Sequence, residues 1–361
     1  MKRTTLILIP ILLAAMLLCS CNADAQDGIY SAIADSTLDS GTKVKAYLGS
    51  AEDSHGEVYN YVLTDSAVIK LGSGSESFSQ IQSTKDALLD DAALVSDGSN
   101  KGIYVTVHKA GSSDPSDSRL LKYDLNGNLD TTFGSKTHVK WLTTNGMYYI
   151  ENESEYTLGS VSSHSERTLA KKITQVFESE NHILARFEDG SINVYLNDGS
   201  TPATNGTAGI ANIVGFQVIG TTAKEFLVVV KNGSSYGIHT LTIDGTNLKL
   251  SSDAVASLKS SSSSDRIQSF HHLTCATDSV DHVVFKMDNY FDQLDIAKDS
   301  TGEPKYTVTT LNTAGYASKL RTSLVVNIIA DDDTGIVTIA TYSNSIWQID
   351  PTNNIDPKEI K

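Results

Sequence analysis

Gly233-Ser234-Ser235-Tyr236-Gly237 fits G-x-S-x-G, the pattern that sets a nucleophilic serine on a strained turn between a strand and a helix. Here EFLVVVK precedes it and IHTLTI follows, and both read as strands, so a hairpin turn accounts for the glycines. Asp124, Asn126, Asn128 and Asp130 alternate oxygen-bearing side chains like the opening of a calcium loop. Such a loop wants Gly at its sixth position and Glu at its twelfth, and this segment has Leu129 and Ser135 there, so a structural turn is expected. Asp331-Asp332-Asp333-Thr334-Gly335 lies between two apolar runs and reads as a solvated hairpin. His271, His272 and Cys275, with His282 beyond, hold ligand types for zinc. Adjacent strand residues point to opposite faces, so His271 and His272 cannot readily share one ion. No phosphate loop, dinucleotide fingerprint or H-E-x-x-H is present. The expectation is therefore a chain with no catalytic constellation, no resident cofactor and no metal centre.

The remaining chemistry is at Cys21. Lys2 and Arg3 precede an uncharged run, Thr4 to Leu18, that is shorter than the ~20 residues a spanning helix needs. Leu18-Cys19-Ser20-Cys21 closes it with an aliphatic residue three before the cysteine and a small one just before. This is similar to the lipobox of bacterial lipoproteins. It implies a signal peptide over residues 1–20, cleavage after Ser20, acylation of Cys21 and a tether over residues 21–40. Ala23-Asp24-Ala25 offers the rival, an ordinary cleavage site before Gln26 that would release a soluble protein. Acylation favours permanent attachment, because each buried methylene contributes about 0.8 kcal/mol and several chains act together.

The body, residues 41–361, must present whatever function there is. It carries short runs rich in Val, Ile, Thr and Tyr, separated by Gly, Asn, Asp and Ser. Strands are expected at 57–65, 102–109, 119–125, 146–151, 182–188, 191–196, 225–231, 236–243, 282–287, 323–330 and 335–342. Asn126-Gly127, Asp189-Gly190, Asn232-Gly233 and Asp244-Gly245 supply turns that tolerate positive φ. Helical signal is limited to Ile29–Ile33, Glu166–Lys172 and Ala254–Lys259, and Ser260–Ser264 reads as a flexible loop. A strand end running into Asp-x-x-Gly or Asp-Gly recurs in KYDLNG, RFEDG and LTIDG, without a strict period. Many short strands without helical crossovers imply an all-β protein, a β-propeller of about seven blades, with tandem β-sandwiches as the alternative.

Residues 120–134, LLKYDLNGNLDTTFG, resemble the delta-sixty repeat of secreted bacterial proteins through Tyr123, Gly127, Leu129-Asp130 and Phe133-Gly134. That resemblance implies propeller-like β structure. Gly28-Ile29-Tyr30-Ser31-Ala32-Ile33 has the form that opens the mature region of propeller-like spirochaete lipoproteins, which the whole body resembles. Neither resemblance implies catalytic residues.

Charge narrows the partners. The chain has 43 acidic against 28 basic residues, a formal net charge of −15, and loses Lys2 and Arg3 with a cleaved leader. Such a body repels nucleic acid and anionic lipid surfaces. Its contact with a membrane is expected only through the lipid anchor, in the bacterial cell envelope. The partner expected is a protein or glycan bound by an interaction platform, with an envelope enzyme of the lyase or glycosidase class as the alternative. Tyrosine is the commonest aromatic, 15 against 2 tryptophans. On a propeller it serves both packing between blades and surface contacts.

Overall fold

A computed structural model describes residues 44–52, 56–71, 75–179, 182–196, 212–219, 225–244, 247–258, 267–275, 280–287, 291–311, 325–330, 337–341, 346–350 and 355–359. Residues 1–43, with Cys21, the tether and the Ile29–Ile33 candidate, lie outside these, as do Ser260–Ser264 and Asp331–Gly335.

Among the described residues the strands form seven antiparallel sheets, each a meander in sequence order. Blade 1 is β1 (Val44–Glu52), β2 (Val58–Thr64), β3 (Ala67–Leu71) and β4 (Ser75–Gln82). Blade 2 is β5 (Ala87–Val95), β6 (Gly102–Lys109), β7 (Ser118–Tyr123) and β8 (Lys136–Thr137). Blade 3 is β9 (Val139–Leu142), β10 (Met147–Asn152), β11 (Glu155–Ser160) and β12 (Glu166–Leu169). Blade 4 contributes β13 (Ile173–Ser179), β14 (His182–Phe187) and β15 (Ile192–Leu196). Blade 5 is β16 (Ile213–Ile219), β17 (Glu225–Asn232), β18 (Ser235–Asp244) and β19 (Asn247–Leu250), with β20 (Ala256–Leu258) pairing the first part of β18. Blade 6 is β21 (Ile267–Cys275), β22 (Val280–Met287), β23 (Phe291–Lys298) and β24 (Pro304–Leu311). Blade 7 is β25 (Val325–Ala330), β26 (Val337–Thr341), β27 (Ile346–Asp350) and β28 (Ile355–Glu359).

The first strands face one another around a ring: β1 packs on β5, β5 on β9, β13 on β16, β16 on β21, and β21 on β25. Blades 3 and 4 share one apolar cluster, Met147, Tyr149 and Leu158 with Ile173, Ile183 and Ala185. Contact of β25 with β1 closes the circle. The chain is a β-propeller of seven blades. Among the described residues blades 1 and 7 exchange no strand, and β25 packs on β1 at the closing seam.

The second strands explain why the sequence reads so strongly as β. Where their side chains are described, they lie inside sheets covered on both sides, and both faces are apolar. In β17, Phe226, Val228 and Val230 pack with Leu184, Ile192 and Val194 of blade 4. Leu227 and Val229 between them pack with Val283, Phe285 and Leu294 of blade 6. Strand β6 does the same, with Ile103 and Val105 toward blade 1 and Tyr104 toward blade 3. Each such side chain contributes about 1.5–3 kcal/mol by leaving water.

Every first strand carries a register shift near its start, where one partner residue faces two. The residue before the shift is Val44, Leu89, Val139, Ile173, Ile213, Ile267 or Val325, aliphatic in all seven. Bulges bend a strand and re-aim the next side chain. Here side chains at the bulges reach along the ring. Lys45 Nζ donates to Asp90 O at 3.4 Å, and Gln175 Nε2 to Ile213 O at 3.3 Å. Asp91 Oδ2 accepts from Leu142 N at 3.2 Å. At the far end of β13, Ser179 Oγ accepts from Val218 N at 3.1 Å.

No α-helix occurs among the described residues; the one helical turn is a 3-10 turn at Pro115–Asp117. The helix expected at Glu166–Lys172 is instead the edge strand β12, in register with β11 through Thr157↔Thr168 and Leu158↔Arg167. The one expected at Ala254–Lys259 contains β20. In both segments cross-strand pairing at a blade edge overrides weak helix propensity.

Candidate functional site

A meander puts its first-to-second and third-to-fourth turns at one end of each blade. At that end a cavity of about 420 Å³ opens between blades 2 and 3. One wall is the connection from β7 to β8, which is the LLKYDLNGNLDTTFG segment; the other is β10 with the turn from β11 to β12.

The first wall is folded by its own aspartates. Asp124 Oδ1 accepts the backbone N–H of Asn126 at 2.8 Å and of Asn128 at 2.9 Å, and Oδ2 accepts Asn128 Nδ2 at 3.0 Å. These are the hydrogen bonds of an aspartate-initiated turn. Asp130 N then donates to Lys122 O at 2.8 Å, so the loop doubles back alongside β7. Asp130 Oδ1 accepts both Thr132 N and Thr132 Oγ1, at 2.9 and 2.5 Å, which sets the course of the next residue, Phe133. The Phe133 ring meets Tyr104 edge-on at 5.4 Å and lies tilted against His164 at 5.6 Å.

The second wall depends on a glycine. Gly159 faces Tyr148 across the β10–β11 pair, and a Cβ on it would stand 2.1 Å from Tyr148 Cζ. The missing side chain lets the Tyr148 ring lie flat on the strand and direct its hydroxyl to Glu166 Oε1 at 2.8 Å. The same oxygen receives Lys136 Nζ at 2.7 Å. Across the cavity Lys122 Nζ meets Asp130 Oδ2 at 3.3 Å. His164 sits in the turn with φ of 52°, in the left-handed region that a non-glycine residue adopts at a cost.

The protonation states follow. Hydrogen bonds from Thr132, with Lys122 beside it, pull Asp130 down to about 2. Lys136, and after it Tyr148, hold Glu166 below the usual carboxylate range. Burial first, then the Lys122 and Lys136 ammoniums, lower His164, so its imidazole is neutral at pH 7. Burial pushes the Tyr104 and Tyr148 hydroxyls up, so both stay protonated. Tyr104 gives its one proton to Asn100 O at 2.8 Å. In the 3.1 Å contact with His164 the donor is therefore Nε2–H, which leaves Nδ1 as an acceptor.

The other sequence candidates fall elsewhere. Gly233 and Ser234 form a two-residue hairpin turn, with Asn232 opposite Ser235, Gly233 at φ 62° and Ser235 Oγ bonded to Asn232 O at 3.0 Å. No helix follows, so there is no nucleophile elbow. His282 is buried on β22 opposite Leu273, and its Nδ1 lies 2.7 Å from Asp295 Oδ1. The side chains of His271, His272 and Cys275 lie outside the described ones, although β21 includes all three. Among the described residues no three His, Cys, Asp or Glu side chains group as a metal site would require. No described helix is long and apolar enough to cross a membrane.

Sequence reasoning reached one wall of the cavity and missed Lys136, Tyr148 and His164. Lys136 lies just beyond the segment that resembles a repeat. The other two come from blade 3, and only the packing of two blades brings them in.

No protein-family model and no curated protein matches the chain. Among solved structures, Hsv2 of Kluyveromyces lactis is 11% identical with a TM-score of 0.50, over 89% of this chain and 98% of that one. A form titled KlHsv2, with loop 6CD replaced by a Gly-Ser linker, is also 11% identical, over the same shares, with a TM-score of 0.51. YCF48 from Cyanidioschyzon merolae is 12% identical over 88% of this chain and 98% of that one, with a TM-score of 0.47. At these identities the likeness shows the β-propeller fold alone.

Proposed function

We propose that the chain is an exported, lipid-anchored interaction protein of the bacterial cell envelope, whose propeller holds a protein or glycan partner at the face that opens between blades 2 and 3. The observation that carries the binding half is the polar cavity built on buried tyrosines. Its side chains are fixed by packing before any partner arrives, so little ordering entropy remains to oppose binding. The anchoring half rests on the Leu18-Cys19-Ser20-Cys21 pattern behind its uncharged run.

The binding reading is favoured over a lyase or glycosidase by the state of the carboxylates. A general acid at neutral pH needs a raised pKa. Asp130, which lines the cavity, and Glu166, which holds Lys136 and Tyr148 from behind, are instead both held low by lysines and hydrogen bonds.

Two measurements test the proposal. The full chain should enter the detergent phase on phase separation, and Cys21→Ala should leave it aqueous or unprocessed. Equal partitioning of both forms would end the anchoring claim. Envelope material cross-linked to the full chain should be lost in Phe133→Ala at a temperature where the variant is still folded. Undiminished cross-linking would remove the cavity from the function.

A further inference from the structure

We infer that the cavity between blades 2 and 3 is a subsite for a sugar that bears a carboxylate. The inference rests on the binding function proposed above and names its ligand.

The hydrogen-bonding inventory points there. A lysine ammonium has three N–H groups. Lys122 directs one to Asp130 and Lys136 one to Glu166. Asp130 Oδ1 is engaged by Thr132, Asp130 Oδ2 by Lys122, and Glu166 Oε1 by both Lys136 and Tyr148. His164 Nδ1 remains as an acceptor, which one sugar hydroxyl can fill. The other N–H groups of the two lysines outnumber it, so the ligand should bring oxygens that accept. A neutral sugar offers only hydroxyls, each of which also needs an acceptor. A carboxylate brings two acceptor oxygens and no donor.

Charge limits how much anion the site takes. Two ammoniums are balanced by two carboxylates, and the whole chain stands at −15. One carboxylate adds a single negative charge beside the two lysines, whereas a phosphate dianion meets too little compensation, and a polyanion is repelled at long range.

The aromatic groups choose a sugar over a peptide end. Phe133 is fixed on two sides, by Tyr104 and His164, and is only half-buried. It gives a rigid apolar surface of the kind on which the C–H face of a pyranose rests. Apart from Phe133, the apolar lining is Tyr148 and Val161, with polar or charged residues around them. That leaves no apolar socket for a peptide side chain.

The test uses the full chain in detergent and saturation-transfer NMR, with D-glucuronate, D-glucose, inorganic phosphate and N-acetyl-dialanine as separate probes. D-glucuronate should bind at least tenfold more tightly than any of the other three. Lys136→Met should bring D-glucuronate down to the level of D-glucose, with Lys136→Arg retaining most of the preference. Phe133→Ala should weaken both sugars. Equal binding of the two sugars overturns the carboxylate, and phosphate or N-acetyl-dialanine matching D-glucuronate overturns the sugar. D-glucuronate binding that survives both Lys136→Met and Phe133→Ala overturns the location. If D-glucuronate fails while envelope cross-linking is still lost in Phe133→Ala, the ligand class falls and the binding function stands; if cross-linking is also undiminished, both fall.

Discussion

Gly159→Ala is the smallest change that should damage the site, and its size can be worked from the structure. The added methyl carbon would lie 2.1 Å from Tyr148 Cζ and 2.5 Å from both its Cε2 and its hydroxyl oxygen. Those distances are far inside contact, and the obstacle is a stiff ring, 1% exposed, in a packed wall. If the wall gives way slightly, overpacking costs about 1–3 kcal/mol. If the ring is expelled, the loss approaches the roughly 3–5 kcal/mol of deleting a buried aromatic. A Gly→Ala exchange in a strand would otherwise gain roughly 0.5–1 kcal/mol. The clean assay is a double-mutant cycle with Tyr148→Ala, read as apparent melting temperature at one scan rate. Gly159→Ala alone should melt several degrees lower. In the Tyr148→Ala background, where the obstacle is gone, it should be neutral or mildly stabilising. Additive effects of the two substitutions would refute the reasoning, because they would show that the ring and the glycine do not meet.

His182 gives a pH test. It is buried on β14, edge-on to Phe226 at 5.5 Å, and neither ring nitrogen has a hydrogen-bond partner among the described residues. Burial lowers its pKa, so the unfolded chain binds the proton more readily, and stability falls as pH drops below about 6.5 toward the folded value. His182→Phe should flatten the melting-temperature slope between pH 5 and 7, and an unchanged slope would show that the ring is solvated. The closing seam can be tested by ending the chain after residue 311. Blade 7 is then missing, β1 and β21 lose the neighbour that covers them, and the cooperative melt should disappear rather than shift. A truncated chain with a sharp transition near that of the full chain would mean that the ring does not act as one unit.

The strands most legible in the sequence are the second strands of the blades. All seven stand out, from VYNYVLT in β2 to VTIAT in β26, because they are rich in β-branched and aromatic residues, and the third strands β7, β15 and β18 follow them. First strands were hidden, with only β25 foreseen. In β5, Asp90 and Asp91 sit at the bulge and break the alternation that marks a strand, although Leu89, Ala92 and Ala93 are core. The fourth strands of blades 2 and 3, Lys136–Thr137 and Glu166–Leu169, are short and polar and lie at the rim. The apparent rhythm of Asp-Gly turns mixed two positions. KYDLNG and LTIDG follow third strands, whereas Asp189-Gly190 follows the second strand β14. Asp299 to Glu303, which repeats the Asp124 scheme after the third strand β23, went unnoticed.

The repeat in this molecule is therefore one of geometry more than of residues. What recurs in every blade is a bulge after one aliphatic residue and a second strand rich in β-branched and aromatic residues, and many sequences satisfy both. The turns and edges between them are free to vary, because they contribute little to the apolar core. The cavity arises from that freedom. The β7–β8 connection of blade 2 is long enough to fold back on Lys122 through Asp130 and to bring Phe133 to His164 of the next blade. Neither blade contains the site alone, and its residues are separated by strands whose only shared requirement is packing. A search for catalytic or ligand-binding spacing in one dimension misses such a site, because the spacing that matters lies across the groove between two blades.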